Sequence, residues 1–249
     1  MLVAVSAGVL VAWVVSIERM RGMDAGPGTD LGALGWFVGI WVTMTAAMML
    51  PSAAPVVLAF AHFSRARAER DRAAIVPTWV FVAGYLAAWT LYGLAAYAIY
   101  RALKDAGLSF LAWDNGGPYV AGGALVLAGL YQLTPLKTLC LRHCRGPLHV
   151  VAHGWRPGPV GAVRMGLEHG AYCIGCCWGL MLALFALGVM SLTWMAFLAA
   201  VIFAEKVLPR GEVVSRVVAL ALVAFGIWVA VAPGGAPGLR EPAAHMEMR

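Results

Sequence analysis

Charge is scarce in this chain. Asp, Glu, Lys and Arg make up 12% of its 249 residues, about half the share of a soluble globular domain. Apolar residues fill 62%, and the mean hydropathy is +0.81. That balance excludes an ordinary soluble domain. No Walker A sequence is present, which excludes a P-loop ATP drive. Gly-x-Ser-x-Gly and His-Glu-x-x-His are also missing, so neither the hydrolase elbow nor the zincin helix is encoded. No basic run is interleaved with aromatics, so the net charge of +6 does not point to nucleic acid. It belongs to short loops that set membrane orientation. Only His62 and His169 fall within apolar runs, and they are not arranged as a bis-His haem site. The five cysteines are odd in number and crowd between Cys140 and Cys177, unlike a secreted disulfide framework.

Long apolar runs are what the chain does contain. Seven are read, at residues 2–17, 34–62, 76–100, 119–136, 163–188, 191–208 and 213–232. Each span of a bilayer uses about 20 residues. The expectation is an all-α, polytopic bundle of six or seven transmembrane helices, forming one domain over 1–232 with a flexible tail over 233–249. The first run lacks a basic leader and a small-residue cleavage site, so it is taken as a span and not a signal peptide. With the N-terminus inside, twelve Lys and Arg fall in inner loops and six outside. The reverse topology exchanges those numbers, so the bias favours N-in, C-out. The location implied is a bacterial cytoplasmic (inner) membrane, with the lipid bilayer as the constant partner.

The stretch EHGAYCIGCCWGLM, residues 168–181, carries Glu168, His169, Cys173, Cys176 and Cys177 at the front of a span. At about 100° per residue, Cys173 lies roughly 40° to one side of His169 and Cys176 roughly 20° to the other. The three share a stripe. Cys177 stands at its edge and Glu168 points elsewhere. Thiolate and imidazole one turn apart can hold Zn or Cu(I) from a single helix. The alternative is that cysteines pack as small hydrophobes between helices.

CLRHC adds Cys140 and Cys144, which share a face if the fourth helix continues past Pro135. In WVTMTAAMMLPSAAP, Pro51 and Pro55 each remove a backbone donor, and a double helix break is expected there. Met44, Met48 and His62 fall on the same side and supply a second shell or a transit station for a soft ion. Glu205 and Lys206 in AEKVLPRG are expected to anchor the membrane interface, with pairing to another buried group as the alternative. Gln132 is read as an interhelical hydrogen bond, and HMEM (His245 to Met248) as an external metal-capture tail.

MTAAMMLPSAAP, LTPLKTLCLRHCRGP, CIGCCWGLM and AEKVLP, taken together and in this order, make the chain resemble a family of bacterial integral membrane proteins. It is domain-of-unknown-function family 2182, labelled predicted metal-binding membrane proteins. The resemblance runs over residues 30–232. It implies a helical inner-membrane protein with a metal site at the cysteines.

The leading expectation is a transition-metal site, copper(I) ahead of zinc because methionine is a poor zinc ligand. Its ligands come from Cys173, Cys176, Cys177, Cys140, Cys144 and His169, with Glu168 nearby. The role is transport, sensing or delivery to a metallochaperone or metalloenzyme partner, more an ion handler than an enzyme. The alternatives are a membrane thiol–disulfide oxidoreductase using Cys173 and Cys176, and a structural membrane subunit.

Overall fold

The computed structural model describes residues 2–21, 31–71, 75–106, 116–188 and 191–232. Among these, all regular structure is helical. The elements are α1 (Leu2–Met20), α2 (Leu34–Asp71), α3 (Thr78–Asp105), α4 (Gly117–Gln132) and α5 (Pro135–Cys144). They continue with α6 (Pro147–Gly154), α7 (Gly158–Leu187), α8 (Leu192–Val207) and α9 (Gly211–Val231). The expected tail over 233–249, including the HMEM sequence, lies outside the described residues.

Five helices, α1, α2, α3, α7 and α9, are long and apolar enough to cross a membrane. A sixth is added if α4 and α5 form one bent span. Expected as the sixth of seven spans, α8 has 16 residues, which rise about 24 Å against a hydrocarbon core of about 30 Å.

Two expectations about helix ends are corrected. Helix α2 is one helix of 38 residues that passes through Pro51 and Pro55 without a break. The two prolines remove donors that would reach the carbonyls four residues back, on Ala47 and Pro51. The apolar residues on both sides still bury the helix, and that burial keeps it continuous. Nor does α2 stop near residue 62, because the arginine-rich stretch read as a loop continues it to Asp71. The fourth helix, in contrast, does end before Pro135. Thr134 is extended at ψ 149°, as a residue preceding proline prefers, and its hydroxyl accepts from the Lys137 backbone N–H. A new helix, α5, starts on Pro135 and leaves α4 at 67°. The long break expected over 136–161 is therefore mostly the two short helices α5 and α6 and the start of α7.

Helix α7 lies at the centre, packed against α3, α4, α5 and α8. Its approach to α3 is backbone to backbone. A Cβ on Gly166 would stand 2.9 Å from the Tyr85 backbone nitrogen and would strike the Phe81 carbonyl oxygen. Gly84 meets the Val163 carbonyl in the same way from α3. Glycines at such crossings let helices close to van der Waals contact. Gly122 and Gly226 make the equivalent crossing of α4 and α9. Helix α7 ends at Gly188, whose φ of 112° suits glycine.

Candidate metal centre

The 67° turn at Pro135 directs α5 toward α7. Cys140 and Cys144 are one turn apart and both buried on α5, and they meet adjacent residues of α7. Cys144 Sγ lies 3.8 Å from Cys176 Sγ. Cys140 rests on the backbone at Gly175, where a Cβ would come within 2.6 Å of its sulfur. The Tyr131 hydroxyl donates to the Gly175 carbonyl and ties α4 to the same point.

On α7 the sulfurs of Cys173, Cys176 and Cys177 all lie within 4.8 Å of one another. Cys176 and Cys177 are 3.3 Å apart, and the Cys176 thiol also meets the Cys173 carbonyl at 3.2 Å. All three residues are at most 1% exposed. Cysteines so placed are free, as are Cys140 and Cys144.

Metal–thiolate bonds near 2.3 Å, the value for zinc, spread the sulfurs to about 4 Å in a trigonal plane and about 3.8 Å in a tetrahedron. The Cys144–Cys176 separation already matches. Cys176 and Cys177 need to open by roughly half an ångström. The donor set therefore suits a thiophilic ion.

Two further groups touch the cluster. The Lys206 ammonium on α8 donates to Cys173 Sγ at 3.0 Å and to Ser52 Oγ on α2 at 3.2 Å. The Tyr85 hydroxyl on α3 lies 3.0 Å from the same sulfur. Cys173 is thus the point where α2, α3, α7 and α8 converge. The expected interface role of Lys206 and Glu205 is corrected here, because both are buried. Glu205 accepts from Lys137 at 2.6 Å and from Gln132 Nε2 at 2.9 Å. Lys137 also donates to the Gln132 side-chain oxygen, and Ser215 donates to the Gln132 carbonyl. A buried charge is tolerable when it is paired and hydrogen-bonded, and both charges here are.

The remaining residues of the expected site fall at different distances from this cluster. His169 is buried one turn before Cys173 but stands outside the mutually close set. Its ring stacks on Tyr85 with centroids 5.7 Å apart, and its Nδ1 has no hydrogen-bond partner among the described residues. Met44 and Met48 are buried in the same apolar core as the cysteines, and Met48 lies one turn before Ser52. Pro51 is half-buried and Pro55 exposed, both within continuous helix. Glu168 points away from the cysteines, toward Arg156 at 2.9 Å and Arg164 at 3.2 Å. His62 is exposed. Cys177, assigned to the edge of the stripe, is instead one of the three clustered thiols.

Sequence reasoning missed Tyr85, Ser52 and the site role of Lys206. The signal for Lys206 was present: a lysine next to a glutamate at the end of an apolar run is expensive unless partnered.

The profile of one family, described as PpoB2, copper chaperone, matches residues 38–229, more than three quarters of the chain. No curated protein and no solved structure matches it. The match supports a metal-handling family. It carries neither the family label nor the membrane location expected from the sequence.

Proposed function

Because the chain belongs to the PpoB2 copper chaperone family, we propose that it is a membrane-embedded carrier that holds Cu(I) on its buried thiols and passes it to a metalloprotein. The observation that carries this reading is the set of three buried sulfurs within 4.8 Å on α7, with Cys144 of α5 at 3.8 Å from the middle one. Thiolates are the donors that a soft monovalent ion prefers. Cys173, Cys176 and Cys177 are the primary ligands, and Cys144 is a fourth donor from a separate helix. Ligands split between two helices suit a carrier, since moving α5 changes the coordination without unfolding α7.

Membrane residence is supported by where the apolar side chains face. Val11, Leu127, Leu220 and Val231 are at least 60% exposed, although each lies on an apolar helix. Such a belt matches lipid chains. An N-in orientation, with α4 and α5 together as the fourth crossing, puts the α5–α6 connection on the cytoplasmic side of a bacterial inner membrane. Burial of the sulfurs also favours ion carriage over thiol–disulfide exchange. An exchange partner must bring its own cysteine to the attacked sulfur, whereas a metal ion needs a narrower route.

The test is metal analysis of the purified full chain after loading with Cu(I), beside the Cys173→Ser, Cys176→Ser and Cys177→Ser variants. The expected result is about one copper per wild-type chain and strong loss in each variant. Equal copper in wild type and all three variants would sink the proposal.

A further inference from the structure

We infer that Lys206 is the specificity-determining residue of this centre, its fixed positive charge selecting a monovalent ion over a divalent one. The inference rests on the metal-carrying reading above. It begins with the partners of the ammonium. Lys206 is 7% exposed and donates to Cys173 Sγ and Ser52 Oγ. The nearest carboxylate in sequence, Glu205, is occupied by Lys137 and Gln132 on α5 and α4. Among the described residues, the positive charge of Lys206 is therefore directed at the sulfur cluster and at no carboxylate.

An ion bonded to Cys173 at about 2.3 Å must lie within about 5.3 Å of Lys206 Nζ, because that nitrogen is 3.0 Å from the sulfur. At that range an ammonium repels each unit of ion charge appreciably. With an effective dielectric of about 20, one additional unit of charge on the ion lowers affinity by roughly two orders of magnitude. Cu(I) meets this repulsion once and Zn(II) twice. The same lysine also offsets the negative charge of the sulfurs, but that effect is shared by both ions on the same donors. The ratio of the two affinities isolates the charge selection.

A structural role for Lys206 predicts something different. If the lysine only links α8 to α2 and α7, its loss weakens the binding of both ions together and leaves their ratio alone.

The experiment measures Cu(I) and Zn(II) affinities of the purified full chain by chelator competition, with circular dichroism and thermal melting as fold controls. The variants are Lys206→Met, Lys206→Arg and Ser52→Asp. The expected result is a Cu(I)-to-Zn(II) affinity ratio lowered at least tenfold in Lys206→Met and held within about threefold in Lys206→Arg. Ser52→Asp places a carboxylate beside the ammonium and lowers the ratio with the lysine still present, so it carries the test if Lys206→Met does not fold. An unchanged ratio in folded Lys206→Met, or in Ser52→Asp should it stand alone, overturns the inference while the carrier reading survives. A wild-type chain that binds no Cu(I) overturns both.

Discussion

The sulfur of Cys144 lies 3.8 Å from that of Cys176, across the contact between α5 and α7. The contact depends on Thr134 and Pro135, which end α4 and restart the chain at 67° as α5. Cys140, one turn earlier on α5, meets the Gly175 backbone instead. The two cysteines of CLRHC therefore have different tasks. Cys144→Ser should lower Cu(I) affinity about tenfold to a hundredfold, and Cys140→Ser should change it less than threefold, by competition titration with a Cu(I) chelator. Equal losses in both would show that the centre is assembled differently.

The crossing of α3 and α7 makes a second prediction, about stability. Gly166 faces the backbone of Phe81 and Tyr85 with no room for a methyl group. Gly166→Ala should force the helices apart and cost about 1–3 kcal/mol, the usual range for overpacking. The shift also moves Tyr85 away from Cys173, so the copper affinity should fall with the melting temperature. Gly123 has open space around its Cβ position, so Gly123→Ala should leave the copper affinity unchanged and should not lower the melting temperature.

Much of the fold was legible because hydropathy reports burial directly. The cores of α2, α3, α7 and α9 coincide with apolar runs. What the runs could not report was continuity across prolines. Pro51 and Pro55 are absorbed within α2, whereas Pro135 ends a helix. The difference lies in what precedes them. Thr134 can cap a new helix with its hydroxyl, and Ala54 before Pro55 offers no such cap. At the site, the helical stripe correctly brought Cys173 and Cys176 to one side. It could not weigh Cys177 against His169, because that depends on which neighbour each meets. His169 meets the rings of Tyr85 and Phe81 from α3, and Cys177 turns toward the sulfurs. Lys206 was misplaced for the same reason: its partner is distant in sequence.

Glu168 supplies a negative control. It pairs with Arg156 and Arg164 at a half-exposed surface, away from the thiols. Glu168→Gln should leave the copper affinity within twofold and change stability by less than about 1 kcal/mol, as exposed ion pairs usually do. A large loss of copper binding would place Glu168 in the path of the ion.

The buried Lys137–Glu205–Gln132 network joins α4, α5 and α8. Lys137 and Glu205 are each 1% exposed at the side chain, so removing either leaves the other charge without its partner in an apolar interior. Lys137→Met should therefore cost about 3–5 kcal/mol, and Glu205→Leu a similar amount. Replacing both should cost much less than the two singles added together, because no uncompensated charge then remains. Thermal or denaturant unfolding of the four proteins in detergent measures the coupling. The network also bears on copper. Lys137 lies on the helix that carries Cys144, and Glu205 precedes the lysine that touches Cys173. The double replacement should then recover stability without fully recovering Cu(I) affinity, since the charged tie that registers α5 and α8 around the thiols is gone. Full recovery of both would mean that the network serves stability alone.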